Sequence, residues 1–95
     1  MKEIHRSDVY IKWLKKLRDP QARMKILARV DRLAAGNSGD SRFLGDISEL
    51  RIDSYRVYYK DTGKEIIILL CAGVKDTQQA DIKKAREIAK SYEGK

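Results

Sequence analysis

Residues 65–72, Glu-Ile-Ile-Ile-Leu-Leu-Cys-Ala, hold seven apolar residues in a row, in a chain of which 37% is charged. A run with no polar alternation has no face to offer water. It is far shorter than the ~20 residues that cross a bilayer, and it has the length of a strand. It therefore predicts a central strand buried on both faces, which the rest of the chain must cover.

The flanking segments read as its cover. Asp61-Thr62-Gly63-Lys64 is a hairpin turn leading back to Tyr55, Val57 and Tyr59, which alternate with Arg56, Tyr58 and Lys60. Asp53-Ser54 is a second turn, leading back to Leu50 and Ile52 in a strand over 47–52. Residues 2–6 predict a short first strand. Ser7 or Asp8 caps a helix with Tyr10, Trp13, Leu14 and Leu17 on one face, and Asp19-Pro20 restarts a second helix with Ala22, Ile26, Val30, Leu33 and Ala34 inward. Gly36 is its left-handed stop. Residues 36–45, with three glycines, read as loop, and 78–92 as a last helix carrying Ile82, Ala85, Ala89 and Tyr92. The expected order is βααβββα. The expected fold is one α+β domain over residues 1–95, an antiparallel sheet of about four strands with a helical hairpin and a C-terminal helix, the helices carried on one face.

The charge narrows the partners. There are 21 Lys and Arg against 14 Asp and Glu, a formal +7, and residues 1–35 alone hold 10 basic and 4 acidic residues. Such an excess favours an anionic partner, nucleic acid foremost, although it also serves solubility. No stretch of ~18 apolar residues exists, so no membrane association is expected. The first ten residues lack the apolar core of a secretory signal. A single cysteine, Cys71, forms no internal disulfide and fits the cytoplasm. With one histidine and one cysteine, no Cys/His zinc site and no cofactor is expected. His5 lies on the first strand and reads as structural, and Cys71 as a buried, inert thiol.

The segments Glu-Leu-Arg-Ile (49–52), Tyr-Arg-Val-Tyr-Tyr (55–59) and Gly-Val-Lys-Asp-Thr-Gln-Gln-Ala-Asp-Ile-Lys-Lys-Ala (73–85) resemble the RelE/ParE superfamily of bacterial toxins. Within it the chain is most similar to the HigB-like addiction-module killer group of phage-derived loci. Trp13, Leu17, the Asp19/Ala22/Arg23 stretch and the Gly36-Asn37 and Gly39-Asp40 pairs extend the resemblance over nearly the full length. One departure stands out: the family has a longer turn where this chain has only Asp53-Ser54. The resemblance implies the toxin of a type II toxin–antitoxin module that cleaves mRNA, ribosome-associated and meeting ribosomal RNA, neutralised by a helix-turn-helix (HigA-like) antitoxin. Two other readings stay open, a ParE-like non-enzymatic gyrase inhibitor and an inactive protein that only binds its antitoxin.

Metal-free RNA cleavage by 2′-hydroxyl attack needs a base, a cation at the phosphorane oxygens and an acid for the leaving oxygen. By strand alternation Glu49, Arg51, Arg56 and Tyr58 share the face opposite their apolar neighbours. They form either a phosphate-binding floor or solvated ion pairs such as Glu49–Arg56. With the resemblance, Arg56 is the first candidate for transition-state stabilisation, Arg51 the second, and Lys75 matches the basic residue of the family's loop before the last helix. Asp81 is a candidate acid or base, and a helix-dipole residue otherwise. Some RelE-type toxins place a catalytic tyrosine where this chain has Asp81 and Ile82. Tyr58 is a candidate for stacking on a base. Gln78 and the helix-pair cations Lys12, Lys15, Lys16, Lys25, Arg29 and Arg32 are candidate RNA contacts.

Overall fold

The computed structural model describes residues 1–93. Its elements are β1 (Glu3–Arg6), α1 (Asp8–Lys16), α2 (Pro20–Ala34), β2 (Ser41–Phe43), β3 (Ser48–Ile52), β4 (Tyr55–Asp61), β5 (Ile66–Val74), a 3-10 turn (Lys75–Thr77) and α3 (Gln78–Glu93).

Local chemistry fixes the helix ends. The Ser7 hydroxyl accepts from the Tyr10 N–H and donates to the Leu70 carbonyl, so one residue caps α1 and ties it to the sheet. Asp19 caps α2 by accepting from Ala22 N–H at 3.1 Å, with Pro20 at the first helical position. Gly36, at φ +97°, closes α2, and Asn37 N–H reaches back to the Arg32 carbonyl at 2.9 Å.

The sheet has five strands in the order β1-β5-β4-β3-β2 and is mixed. Three expectations are corrected here. The sheet is not wholly antiparallel, because β1 runs parallel to β5, with Ile4 beside Ile67. A fifth strand, β2, arises inside the expected loop 36–45 and pairs with β3 around a Leu44–Ile47 turn. Its three residues carry no apolar alternation. What holds the approach to it is Arg29, whose guanidinium donates to the Arg51, Ser38 and Asp40 carbonyls at 2.7, 3.2 and 3.1 Å. Finally, the helices do not share one face.

α1 and α2 pack Tyr10, Ile26, Val30 and Leu33 onto Leu50, Ile52, Val57, Tyr59, Ile67 and Leu69. α3 covers the opposite face, with Ala85 and Ala89 against Ile47, Tyr58, Ile68, Leu70 and Cys71. This is what the unbroken run of β5 demands. The register slips between Tyr58 and Tyr59, which pair with Cys71 and Leu69. The bulge leaves Leu70 and Cys71, neighbours in sequence, on the same side.

Cys71 is 1% exposed, and its Sγ lies 3.4 Å from the Asp81 carbonyl. Burial, reinforced by the nearby Asp81 charge, pushes the thiol up to about 12. Reaction with iodoacetamide at pH 8 is therefore expected to be negligible in the folded protein and complete once it is unfolded in guanidinium. Mass spectrometry measures both, and rapid labelling of the folded protein would contradict this packing.

Candidate active site

Two rows of side chains lie on the α3 face. Arg42, Glu49, Tyr58 and Cys71 face one another across β2, β3, β4 and β5, and Arg51, Arg56 and Gly73 form the next row. The first turn of α3 sits above them.

Glu49 is fully buried, the only charged side chain in the core among the described residues. One carboxylate oxygen accepts from Gln78 Nε2. The other lies 3.5 Å from Arg51 Nε, and neither of these two atoms makes a hydrogen bond of good geometry. The Tyr58 hydroxyl beside them is also buried without a hydrogen-bond partner. Burial first, then the charges of Glu49 and Asp81, raise its pKa well above the ordinary phenol value. Tyr58 thus stays neutral and enclosed, and stacking on a base from this position is ruled out. The Glu49–Arg56 ion pair, the alternative to a phosphate-binding floor, is not formed either. Cross-strand register sets Glu49 opposite Tyr58, so Glu49 meets Arg51 along its own strand.

Arg51 and Arg56 stand directly opposite each other. Like charges in this position repel. Arg56 Nη1 donates to the Asp53 and Tyr55 carbonyls, each at 2.8 Å, which holds the guanidinium against the turn. Its Nε is buried and unpaired, as is that of Arg51. The two-residue turn that shortens this hairpin is accommodated by Asp53 at φ +54°, a conformation aspartate tolerates.

Asp81 accepts a hydrogen bond from Thr77 Oγ1 at 2.6 Å and lies over Gly73. A Cβ at Gly73 would come within 1.9 Å of Asp81 Oδ2, so glycine is required here for close approach. Lys75 is exposed, and its backbone N–H bonds the Ser54 carbonyl at 2.8 Å, joining its loop to the Asp53-Ser54 turn. Arg86 clamps α3 over the site by bonding Asp46 at 3.0 Å.

The expected set thus divides. Glu49, Arg51, Arg56, Tyr58, Gln78 and Asp81 are brought together, with Lys75 at the rim. Lys12, Lys15, Lys16, Lys25, Arg29 and Arg32 belong to the helix pair on the other face. Lys15 and Arg32 are exposed, Lys25 is paired with Asp53 at 2.9 Å, and Arg29 is occupied by backbone carbonyls. Sequence reasoning missed Gly73, Thr77 and Arg86, whose roles depend on where α3 lies. Among the described residues no group of three or more His, Cys, Asp or Glu is placed to hold a metal, and no helix is long and apolar enough to cross a membrane.

Comparison with known proteins agrees with this architecture. An uncharacterized protein of Haemophilus influenzae is 49% identical over 81 residues, covering 81% of this chain and 82% of its own length. The solved structure of the E. coli toxin RelE, a double-arginine variant in the free state, shares the fold with a TM-score of 0.69 at 16% identity, over 92% of this chain and 97% of that one. The family model described as "Phage derived protein Gp49-like (DUF891)" matches residues 12–93. The chain therefore belongs to the phage-derived Gp49-like (DUF891) family, and its α+β fold is that of RelE.

Proposed function

We propose that this protein is the toxin of a type II toxin–antitoxin module of the HigB-like kind and that it cleaves mRNA on the translating ribosome. The observation that carries the reading is the Arg51–Arg56 pair. Two arginines stand at facing positions across a hairpin, each with a buried Nε–H that makes no hydrogen bond within the protein. A phosphate between them removes the repulsion and accepts from planar donors suited to its geometry. The 2′-oxygen attacks phosphorus as its proton passes to a base, the bond to the 5′-oxygen breaks, and that oxygen leaves protonated, giving a 2′,3′-cyclic phosphate and a 5′-hydroxyl.

Asp81 is half-buried beside this row and is the carboxylate best placed to take the proton. Lys75 at the rim donates the proton that the leaving oxygen takes. Glu49 is too deeply buried to meet substrate and serves to position Arg51 and Gln78. So small a set of acid–base groups suits an enzyme whose substrate is oriented for it, here by the ribosome. The partner in the resting cell is a helix-turn-helix, HigA-like antitoxin. The module acts in the cytoplasm.

The test is tightly controlled expression followed by primer extension on cellular mRNA. New, discrete 5′ ends within translated frames are the expected result. Intact mRNA accompanied by altered plasmid supercoiling would overturn the reading in favour of a gyrase inhibitor, and normal growth would overturn it in favour of an inactive toxin fold.

Gly73→Ala probes Asp81 within this scheme. Its backbone is not in the left-handed region, so alanine meets chiefly the Asp81 carboxylate, with Thr77 Oγ1 next at 3.1 Å. Displacing that group is expected to lower cleavage about 100-fold, with a loss of about 1 kcal/mol in thermal stability. Unchanged cleavage would remove Asp81 from the mechanism.

A further inference from the structure

β1 pairs with β5 only as far as Arg6 and Leu69. Beyond that point a groove opens between α1 and α3. Val9, Lys12, Trp13 and Lys16 of α1 line one side, Lys84 of α3 the other, and Ala72 of β5 the floor, around a volume of about 310 Å³. No carboxylate lines it. Lys2, Lys25 and Arg86 are each paired with an aspartate, but among the described residues Lys12, Lys16 and Lys84 have no such partner.

Trp13 lies between these lysines. Its ring packs against Tyr55 in a T-shaped arrangement, with centroids 6.0 Å apart and planes at 72°. Tyr55 precedes Arg56 in β4 and is paired with Val74, next to Lys75. The groove and the arginine pair therefore reach the same rim of the sheet, one on each side of it.

We propose that this groove binds single-stranded nucleic acid, one nucleotide deep, with its base against Trp13 and its phosphates held by Lys12, Lys16 and Lys84. The proposal deepens the nuclease reading and rests on it: the strand whose phosphate lies between Arg51 and Arg56 continues over the rim into the groove. Uncompensated cations flanking an aromatic ring are the pairing that holds single strands without regard to sequence. The carboxylates of an acidic peptide would satisfy the lysines but give the indole no ring to stack on, whereas every nucleotide carries both a phosphate and a base. The volume is at the small end of ligand sites, roughly 300 to 1,000 Å³, which suits one base rather than a docked helix.

Trp13 is the chain's single tryptophan, so its fluorescence reports this groove alone. The probe is a short 2′-O-methyl oligoribonucleotide, which lacks the attacking hydroxyl and is not consumed. Expected are quenching of Trp13 on binding and a strong salt dependence. In the double variant Lys16→Ala/Lys84→Ala, binding is expected to weaken about tenfold and the salt slope to fall by about 1.4, the share of two phosphates on a single strand. Lys90→Ala, on the exposed side of α3, is expected to bind as the wild type does. All three lysines are exposed, and circular dichroism confirms that the variants fold.

Binding without quenching, a double variant with unchanged affinity and slope, or quenching by oligoglutamate but not by RNA would each overturn the groove. The outcomes for the two readings are separable. RNA cleavage with none of the groove effects refutes the groove alone. Quenching and lysine dependence without cleavage under any condition, ribosomes included, support the groove and refute the nuclease.

Discussion

Arg56→Ala is expected to lower mRNA cleavage by at least about 100-fold, the range seen when one preorganised donor to a transition-state oxyanion is lost, and to abolish growth arrest. The argument is geometric. Two hydrogen bonds from Nη1 to the Asp53 and Tyr55 carbonyls set the direction of the guanidinium before any substrate arrives. Its unpaired Nε and the opposing Arg51 make the site better satisfied with an anion than without one. The same facts predict little change in stability. The carbonyl of Asp53, an exposed turn residue, is freed to water, and the repulsion between two facing arginines disappears, so the two effects offset to within about 0.5 kcal/mol. Arg56→Lys is expected to rescue poorly, because an ammonium lacks the planar fork. Primer extension and thermal melting of purified protein check the two halves separately. An alanine variant that still cuts as well as the wild type would remove Arg56 from the chemistry.

What was legible in the sequence follows from where the information lies. Helix caps are local, and Ser7, Asp19-Pro20 and Gly36 placed the helix ends to within about a turn. The hairpins at Asp53-Ser54 and Asp61–Lys64 were equally local. β2 was not legible, because a three-residue edge strand has no period to detect and is held by Arg29 from a distant helix. Nor was the parallel pairing of β1 with β5, a contact between segments some sixty residues apart. The arginines were found because strand alternation assigned their face correctly. Their surroundings were misjudged because nothing local says that α3 crosses that face. The doubly apolar run of residues 65–72 did carry the clue: a strand buried on both sides needs a second cover, and α3 was the element left to supply it. With that cover in place, Glu49 and Tyr58 move from an open floor to the interior, and Glu49 changes from part of a phosphate-binding floor to a positioning residue.

That change of role is testable at Glu49 itself. Glu49→Ala is expected to lose about 1–3 kcal/mol, since it leaves the Gln78 amide without its acceptor and opens a void in the second core. Glu49→Gln is the more informative variant. It keeps the volume and the partner of Gln78 but removes a buried charge, so stability is expected to hold or rise slightly. Cleavage is nevertheless expected to fall about tenfold, because the carboxylate 3.5 Å from Arg51 Nε no longer restrains that side chain. The pH profile separates the two roles. A base at position 49 would set the acidic limb of the cleavage curve, and its replacement by glutamine would erase that limb. A positioning residue leaves the limb in place and lowers the curve throughout, which is the result expected here. A second signature lies next door. Glu49 is one of the charges that raise the Tyr58 phenol, with burial the larger cause. In Glu49→Gln the Tyr58 titration, followed by ultraviolet absorbance, is therefore expected to move down while remaining above that of an exposed tyrosine. If it does not move, the carboxylate does not face the Tyr58 hydroxyl, and its place at the centre of this site would have to be given up.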